Sequence, residues 1–215
     1  MNTGGIDHFQ NPDKIRAFVA VELPENTKQA LGDIEVRLKR RLIGSLGSKW
    51  AEQSLKWVSP ESLHITLKFL GYVPSESIGE IEEALRQATA DKPAFRLALD
   101  GLGVFPGYVK PRVIWVGMKG DLERLVSLQA QVEAAMADLG FPVEKRPFTA
   151  HLTLARVRET ASVGELRLIG QCVKEFIGAP INAQAIVVEH ISLMRSELSR
   201  QGARYSRLAC FPLSG

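Results

Sequence analysis

Apolar and polar positions along this 215-residue chain follow two periods, and the switches between them outline its elements. Arg16 to Leu23 (RAFVAVEL) is a short apolar run closed by Pro24, the pattern of a buried strand. From Glu25 to about Arg41, Ala30, Leu31, Ile34, Leu38 and Leu42 recur at helical spacing with charges between them. Gly44, Gly47 and Ser48 are expected to end that helix in a loop. Leu55 to Val58 and the turn Ser59-Pro60 lead into an alternating strand, Leu63 to Leu70. A turn from Gly71 to Ser77 precedes a helix reaching about Ala90. Ser77 and Glu80 have the spacing of a capping box, with Ser75 a competing N-cap. Phe95 to Leu102 alternates as a strand, and Gly103 to Pro111 reads as a Gly/Pro-rich loop.

The order then repeats. Val113 to Met118 is a buried strand, and Asp121 opens a helix that ends at about Leu139, with Gly140 at the C′ position that favours glycine. Phe141 to Ala150 leads to a strand from His151 to about Val157, then a helix from Val163 to Ile177. Strands at Ala183 to Leu193 and Tyr205 to Pro212 close the chain. Each half therefore reads strand, helix, strand, helix, strand, an internal duplication with too few copies for a solenoid. The expected fold is α+β and bilobal: two antiparallel-rich sheets related by a pseudo-twofold, backed by helices and meeting across a central groove. Residues 1–14 are turn-rich and aperiodic, the pattern of a flexible tail. Residues 15–215 are expected to form the single bilobal domain.

Composition narrows the setting. With 45% hydrophobic residues the chain can bury a substantial core. A formal charge of +3 is too small to imply nucleic acid by itself, yet it does not oppose an anionic ligand. Cys172 and Cys210 lack the spacing of a zinc or redox site and are expected to be buried, reduced thiols. No apolar run is long enough to span a bilayer and the N-terminus carries no signal pattern, so a soluble cytoplasmic protein is expected.

The alternating strands of the two halves share one motif. His64-Ile65-Thr66-Leu67 and His151-Leu152-Thr153-Leu154 both place an apolar residue between His and Thr. In a strand, His64 and Thr66 point to one face and Ile65 and Leu67 to the other, and the second copy behaves alike. A lone strand histidine is usually a hydrogen-bonded structural residue, the reading given to His190. Common ancestry of the halves explains the likeness of the motifs but not why both keep an imidazole. A metal is disfavoured, because catalytic zinc usually takes three protein ligands and threonine is a poor one. No nucleophile elbow is present either. Paired acid–base chemistry remains: one imidazole accepts a proton, the other donates one, and the threonine hydroxyls hold a phosphodiester between them.

HITLKFLG with the upstream LKWVSPES, and RPFTAHLTLAR in the second half, resemble the RNA 2′,3′-cyclic phosphodiesterase family, first called 2′-5′ RNA ligase, of the two-histidine (2H) phosphoesterase superfamily. The resemblance runs from about Arg16 to Pro212. It implies the bilobal α+β fold and cofactor-free, metal-independent opening of RNA 2′,3′-cyclic phosphate ends to 2′-phosphates, with reversible 2′-5′ ligation allowed by microscopic reversibility. It implies His64 as the general acid expelling O3′ and His151 as the base for water, although by sequence the pseudo-twofold leaves these roles nearly interchangeable. Thr66, Thr153 and Arg156 would contact the phosphate. Strict alternation sends Arg156 to the core face, so either the strand ends or bulges near Ala155, or Arg156 is a surface charge. The position equivalent to Arg156 is Phe69, which either lies near the base or ribose or is a core residue. Lys68 shares parity with His64 and reads as an exposed lysine at a strand end. Lys145, Arg146, Arg156 and Arg158 form a basic cluster that could attract an RNA backbone or be a solvated face, with Arg146 and Phe148 shaping the approach to His151. The expected partner is RNA with a cyclic phosphate end or a nucleotide cyclic phosphate, the expected state a monomer without membrane contact. The competing functions are an RNA-end binding module with vestigial catalysis, and a 2H enzyme acting on 2′-5′ oligonucleotides or a nucleotide cyclic phosphate.

Overall fold

The computed structural model describes residues 13–48, 53–199 and 202–215. The expected tail therefore lies outside the described residues up to position 12, His8 included, while Lys14 already opens the first strand. The elements in order are β1 (Lys14–Glu22), α1 (Glu25–Leu46), β2 (Leu55–Trp57), β3 (His64–Pro74), α2 (Ile78–Thr89), β4 (Phe95–Phe105), β5 (Val113–Gly120), α3 (Leu122–Asp138), β6 (His151–Val157), α4 (Val163–Lys174), β7 (Ile186–Val188), β8 (His190–Ser199) and β9 (Gly202–Pro212).

They build an α+β molecule with two sheets, one in the order β3-β1-β8-β9 and one in the order β2-β6-β5-β4-β7, with antiparallel pairing throughout. Neither sheet comes from one half of the sequence. The last two strands extend the first sheet from β1, β8 beside it and β9 beyond, while β2 and β4, from the first half, join the second. The run Ala183 to Leu193, read from sequence as one strand, divides at Glu189: β7 pairs with β4, and β8 pairs with β1. One chain segment thus stitches the two sheets together. α2 and α3 pack on each other against the first sheet. α1 lies against α4, joined by the Arg41–Glu175 ion pair, and Lys39 of α1 sits over the Trp57 ring of β2.

Helices and both sheets meet in one core, which takes in Val19 and Ile65 of the first sheet, Ile114 and Leu152 of the second, and Leu38, Leu85, Val132 and Ile169 of the four helices. A small second cluster of Phe18, Ala20 and Met194, with Tyr205 against it, occupies the opposite face of the first sheet, where no helix contributes. The sheets therefore have helix-backed inner faces, and the motif side chains stand on the other side.

Local expectations differ in a few places. α1 runs through Gly44 to Leu46, because its apolar stripe continues to Leu42 and a single helical glycine costs only about 1 kcal/mol. Ser75 to Ser77 form a short 3₁₀ turn and Ser77 makes no side-chain cap, so the expected capping box does not form there. The capping box is at Ser162, whose hydroxyl accepts from the Glu165 amide while the Glu165 carboxylate accepts from the Ser162 amide. β4 runs through the expected loop to Phe105. Gly140 follows α3 at φ +85°, as the C′ position requires. Cys172 is buried, whereas Cys210 is exposed on β9, which corrects the expectation for that thiol.

Candidate active site

Each motif occupies a strand whose alternation breaks at the same point. In β3, Ala20 of β1 pairs with Thr66 and Val19 with Lys68, so Leu67 is an extra residue without a partner. In β6, Trp115 of β5 pairs with Thr153 and Ile114 with Ala155, leaving Leu154 extra. These are β-bulges, which insert one residue and re-aim every side chain beyond it. Before the bulge, Ile65 and Leu67, like Leu152 and Leu154, are buried in the core while the His and Thr side chains are half-buried on the other face. After it the parity inverts. Lys68 and Ala155 turn inward, and Phe69 and Arg156 turn outward to join their histidines.

The bulge fixes the faces of both residues at the fifth position after each histidine. Arg156 shares a face with His151 and Thr153 and is exposed. Phe69 is 62% exposed on the face of His64 and Thr66, so it is not a core phenylalanine. Lys68 is corrected: it is 6% exposed and its ammonium donates to the Glu133 carboxylate and, at 2.6 Å, to the Pro142 carbonyl. β3 and β6 contact one another although no ladder joins them, which brings both motifs to one region.

The two imidazoles are anchored identically. His64 Nδ1 lies 2.9 Å from the Ser62 carbonyl oxygen and His151 Nδ1 2.7 Å from that of Thr149. A carbonyl only accepts, so Nδ1 carries the proton in the neutral ring and Nε2 is left with its lone pair. Two neighbouring strands thus present two Nε2 atoms, each able to take or give a proton.

Their surroundings differ. His64 lies 4.6 Å from the Phe18 ring and meets Tyr205 edge-on at 5.1 Å, while Phe69 meets Phe18 in a tilted contact at 5.9 Å. His151 meets Phe105 edge-on at 5.2 Å, with Trp115 stacked on Phe105 at 5.0 Å. A Cβ on Gly103 would come within 2.2 Å of the Trp115 ring, so glycine there gives the indole room to lie against its neighbour strand. Burial pushes the His64 imidazole below its ordinary value, against the opposing pull of the Ser62 carbonyl and the Glu22 carboxylate. Glu22 is the β1 partner of His64. Burial would raise the Glu22 carboxyl, but the Arg207 fork, at 2.7 and 3.0 Å, and the Ser192 hydroxyl overcome it and hold Glu22 below the usual carboxylate range. Glu22, Ser192 and Arg207 escaped the sequence reading because three separate strands bring them together. His190, read from sequence as structural, opens β8 and interacts electrostatically with Glu22.

A model of the family described as LigT like Phosphoesterase matches the chain twice, over residues 21–115 and 116–205. The chain belongs to the LigT-like phosphoesterase family. Its relatives include the RNA 2′,3′-cyclic phosphodiesterase of Methanothermobacter thermautotrophicus, 32% identical over 93% of this chain and 100% of the relative. The enzyme of the same name from Thermus thermophilus is 33% identical over 94% of this chain and 91% of its own. Among solved structures, TT0787 of Thermus thermophilus superposes with a TM-score of 0.71 at 28% identity, covering 94% of this chain and 99% of that one. E. coli LigT in complex with 3′-AMP superposes with a TM-score of 0.65 at 25% identity and the same coverage.

Two further sequence candidates lie on the segment leading to His151. Arg146 is almost fully exposed and held by Glu144, and Phe148 packs against the main core. Among the described residues no cluster of three or more His, Cys, Asp or Glu has metal-holding geometry, and no helix is long and apolar enough to cross a membrane.

Proposed function

We propose that this chain hydrolyses RNA 2′,3′-cyclic phosphate ends to 2′-phosphomonoesters by acid–base catalysis between His64 and His151. The observation that carries the reading is the doubled device: each His-Thr pair has the same carbonyl anchor at Nδ1 and the same bulge, on strands that touch. Family membership and the full-length likeness to named RNA 2′,3′-cyclic phosphodiesterases support the reaction class.

In the reaction, Nε2 of His151 takes a proton from water as its oxygen attacks phosphorus. The P–O3′ bond breaks, and O3′ takes a proton from Nε2 of His64, leaving the phosphate on O2′. Thr66 and Thr153 donate their hydroxyls to the non-bridging oxygens, and Arg156 adds a planar cation to the same charge. Phe69 and its aromatic neighbours meet the ribose or base. Burial favours the uncharged form of His64, so the anionic substrate must help to restore the proton this ring donates. Both motifs belong to one chain, and residues 15–215 acting as one bilobal monomeric domain in the cytoplasm complete the proposal.

The test is turnover of a nucleoside 2′,3′-cyclic phosphate in EDTA, followed by identification of the product. A 2′-phosphate, with loss of about 10²-fold or more in kcat for His64→Ala and His151→Ala, is expected. A 3′-phosphate would reverse the leaving oxygen. Full activity of either variant would sink the two-histidine mechanism.

A further inference from the structure

The bulge that turns Arg156 outward also sets it beside a second cation. Lys56 is the cross-strand partner of Arg156 in the β2–β6 ladder. Its neighbours Leu55 and Trp57 turn to the core, Leu55 at 3% exposure and Trp57 beneath the Lys39 ammonium at 4.9 Å. Lys56 therefore stands on the opposite face, that of Arg156, Thr153 and His151, and like Arg156 it is exposed. Among the described residues neither forms an ion pair, although Lys28, Lys39, Lys68 and Lys119 each have a carboxylate partner. Directly opposed side chains in an antiparallel pair have Cβ atoms about 5 Å apart, and like charges placed so destabilise the sheet. β2 has only three residues and pairs with β6 alone, so this repulsion falls on a weak edge. An anion between the two cations would reverse its sign.

The reacting phosphate does not fill that position. From Thr153 to Arg156 the strand advances by about 7 Å after allowing for the bulge, and Lys56 is one strand further out, about 5 Å away. That displacement is on the order of one nucleotide. Resting on the function proposed above, the geometry points to Lys56 and Arg156 as a subsite for the next phosphodiester of the RNA, the one joining the terminal nucleotide to its 5′ neighbour. Arg156 lies between the two phosphates, and Lys56 serves the outer one alone. The subsite gives the enzyme a preference for RNA ends over free nucleoside cyclic phosphates.

The test compares kcat/KM for a dinucleotide ending in a 2′,3′-cyclic phosphate with that for the mononucleoside cyclic phosphate, in the natural protein, Lys56→Gln and Lys56→Arg. Lys56→Gln should lower the dinucleotide-to-mononucleotide ratio about tenfold, the worth of one charge-assisted contact, through KM. Lys56→Arg should keep most of it. In Lys56→Gln the log–log salt dependence for the dinucleotide should flatten by about 0.7, one single-strand phosphate contact. An unchanged ratio overturns the subsite, as does an equal loss on both substrates. Calorimetric binding of the two 2′-phosphate products yields the same ratio without turnover. A preserved binding ratio with no hydrolysis would count against the catalytic reading and leave the subsite standing.

Discussion

Removing the Lys68 ammonium tests the structural consequence of the bulge. Lys68 ties three segments: its own strand β3, the Glu133 carboxylate on α3, and the Pro142 carbonyl on the approach to His151. Glu133 also accepts from the Glu144 amide at 2.9 Å, and Gln129 reaches both Glu133 and the Leu67 carbonyl at 3.4 Å. The ammonium-bearing side chain is 5% exposed and the carboxylate-bearing one 15%. Breaking a buried pair by deleting one partner costs about 3–5 kcal/mol, because the other charge is left uncompensated. Glu133 keeps two donors and some contact with water, which places Lys68→Met near the lower end, about 3 kcal/mol. Replacing both charges, as Lys68→Met with Glu133→Leu, leaves only the Glu144 amide and Pro142 carbonyl to be satisfied, at about 1–2 kcal/mol. Urea unfolding of the two single variants and the double variant supplies the cycle. The double variant should be more stable than Lys68→Met. A loss below about 1 kcal/mol for Lys68→Met, the surface-lysine expectation, would refute the inverted parity of β3. Two single losses that simply add would refute the pairing.

Two further perturbations probe the motif surroundings. Glu22→Gln removes a carboxylate that favours the charged His64 ring, so the folded pKa of His64 falls further below its unfolded value. With His64 as the acid, the alkaline limb of the kcat profile moves to lower pH, and movement to higher pH would contradict that role. The same variant widens the window, from the unfolded histidine value downward, in which stability declines as pH falls. It also loses the contribution of Glu22 itself, whose depressed pKa stabilises the fold above the unfolded carboxylate value and ceases to as pH drops through the folded one. Gly103→Ala brings a methyl within 2.2 Å of the Trp115 ring, so the indole must move and the fold should lose about 1–3 kcal/mol. Thermal unfolding and tryptophan fluorescence should both shift, and an unaltered melting temperature would show that the ring is not held there.

The motif faces were legible in the sequence because a strand needs only its period to say that His64 and Thr66 share a side. The strand exchange was not. Ala183 to Leu193 holds no glycine or proline to interrupt it and so reads as one strand, and only the long-range partners of Val188 and Ser192 place its parts in different sheets. A bulge is equally invisible to a count of alternation: strict parity puts Lys68 outward and Arg156 inward, and one extra residue in each strand reverses both. For Arg156 the pattern itself signals the irregularity, since an arginine at core parity implies that the parity fails. Because the same backbone device stands in both motifs, backbone geometry cannot distinguish the histidines, and the difference must come from what the bulges turn outward. On β3 it is Phe69, beside Phe18 and close to the ring whose charge is disfavoured by burial. On β6 it is Arg156, next to Lys56. Both imidazoles have aromatic neighbours, so under the proposed function it is Phe69 on one strand and the paired cations on the other that would make the site directional, with ribose or base toward Phe69 and the anionic chain toward Arg156. Under the proposed function, that orientation would select which ester oxygen faces the acid, so the Phe69/Arg156 mismatch between the two motifs would set the sense of the reaction.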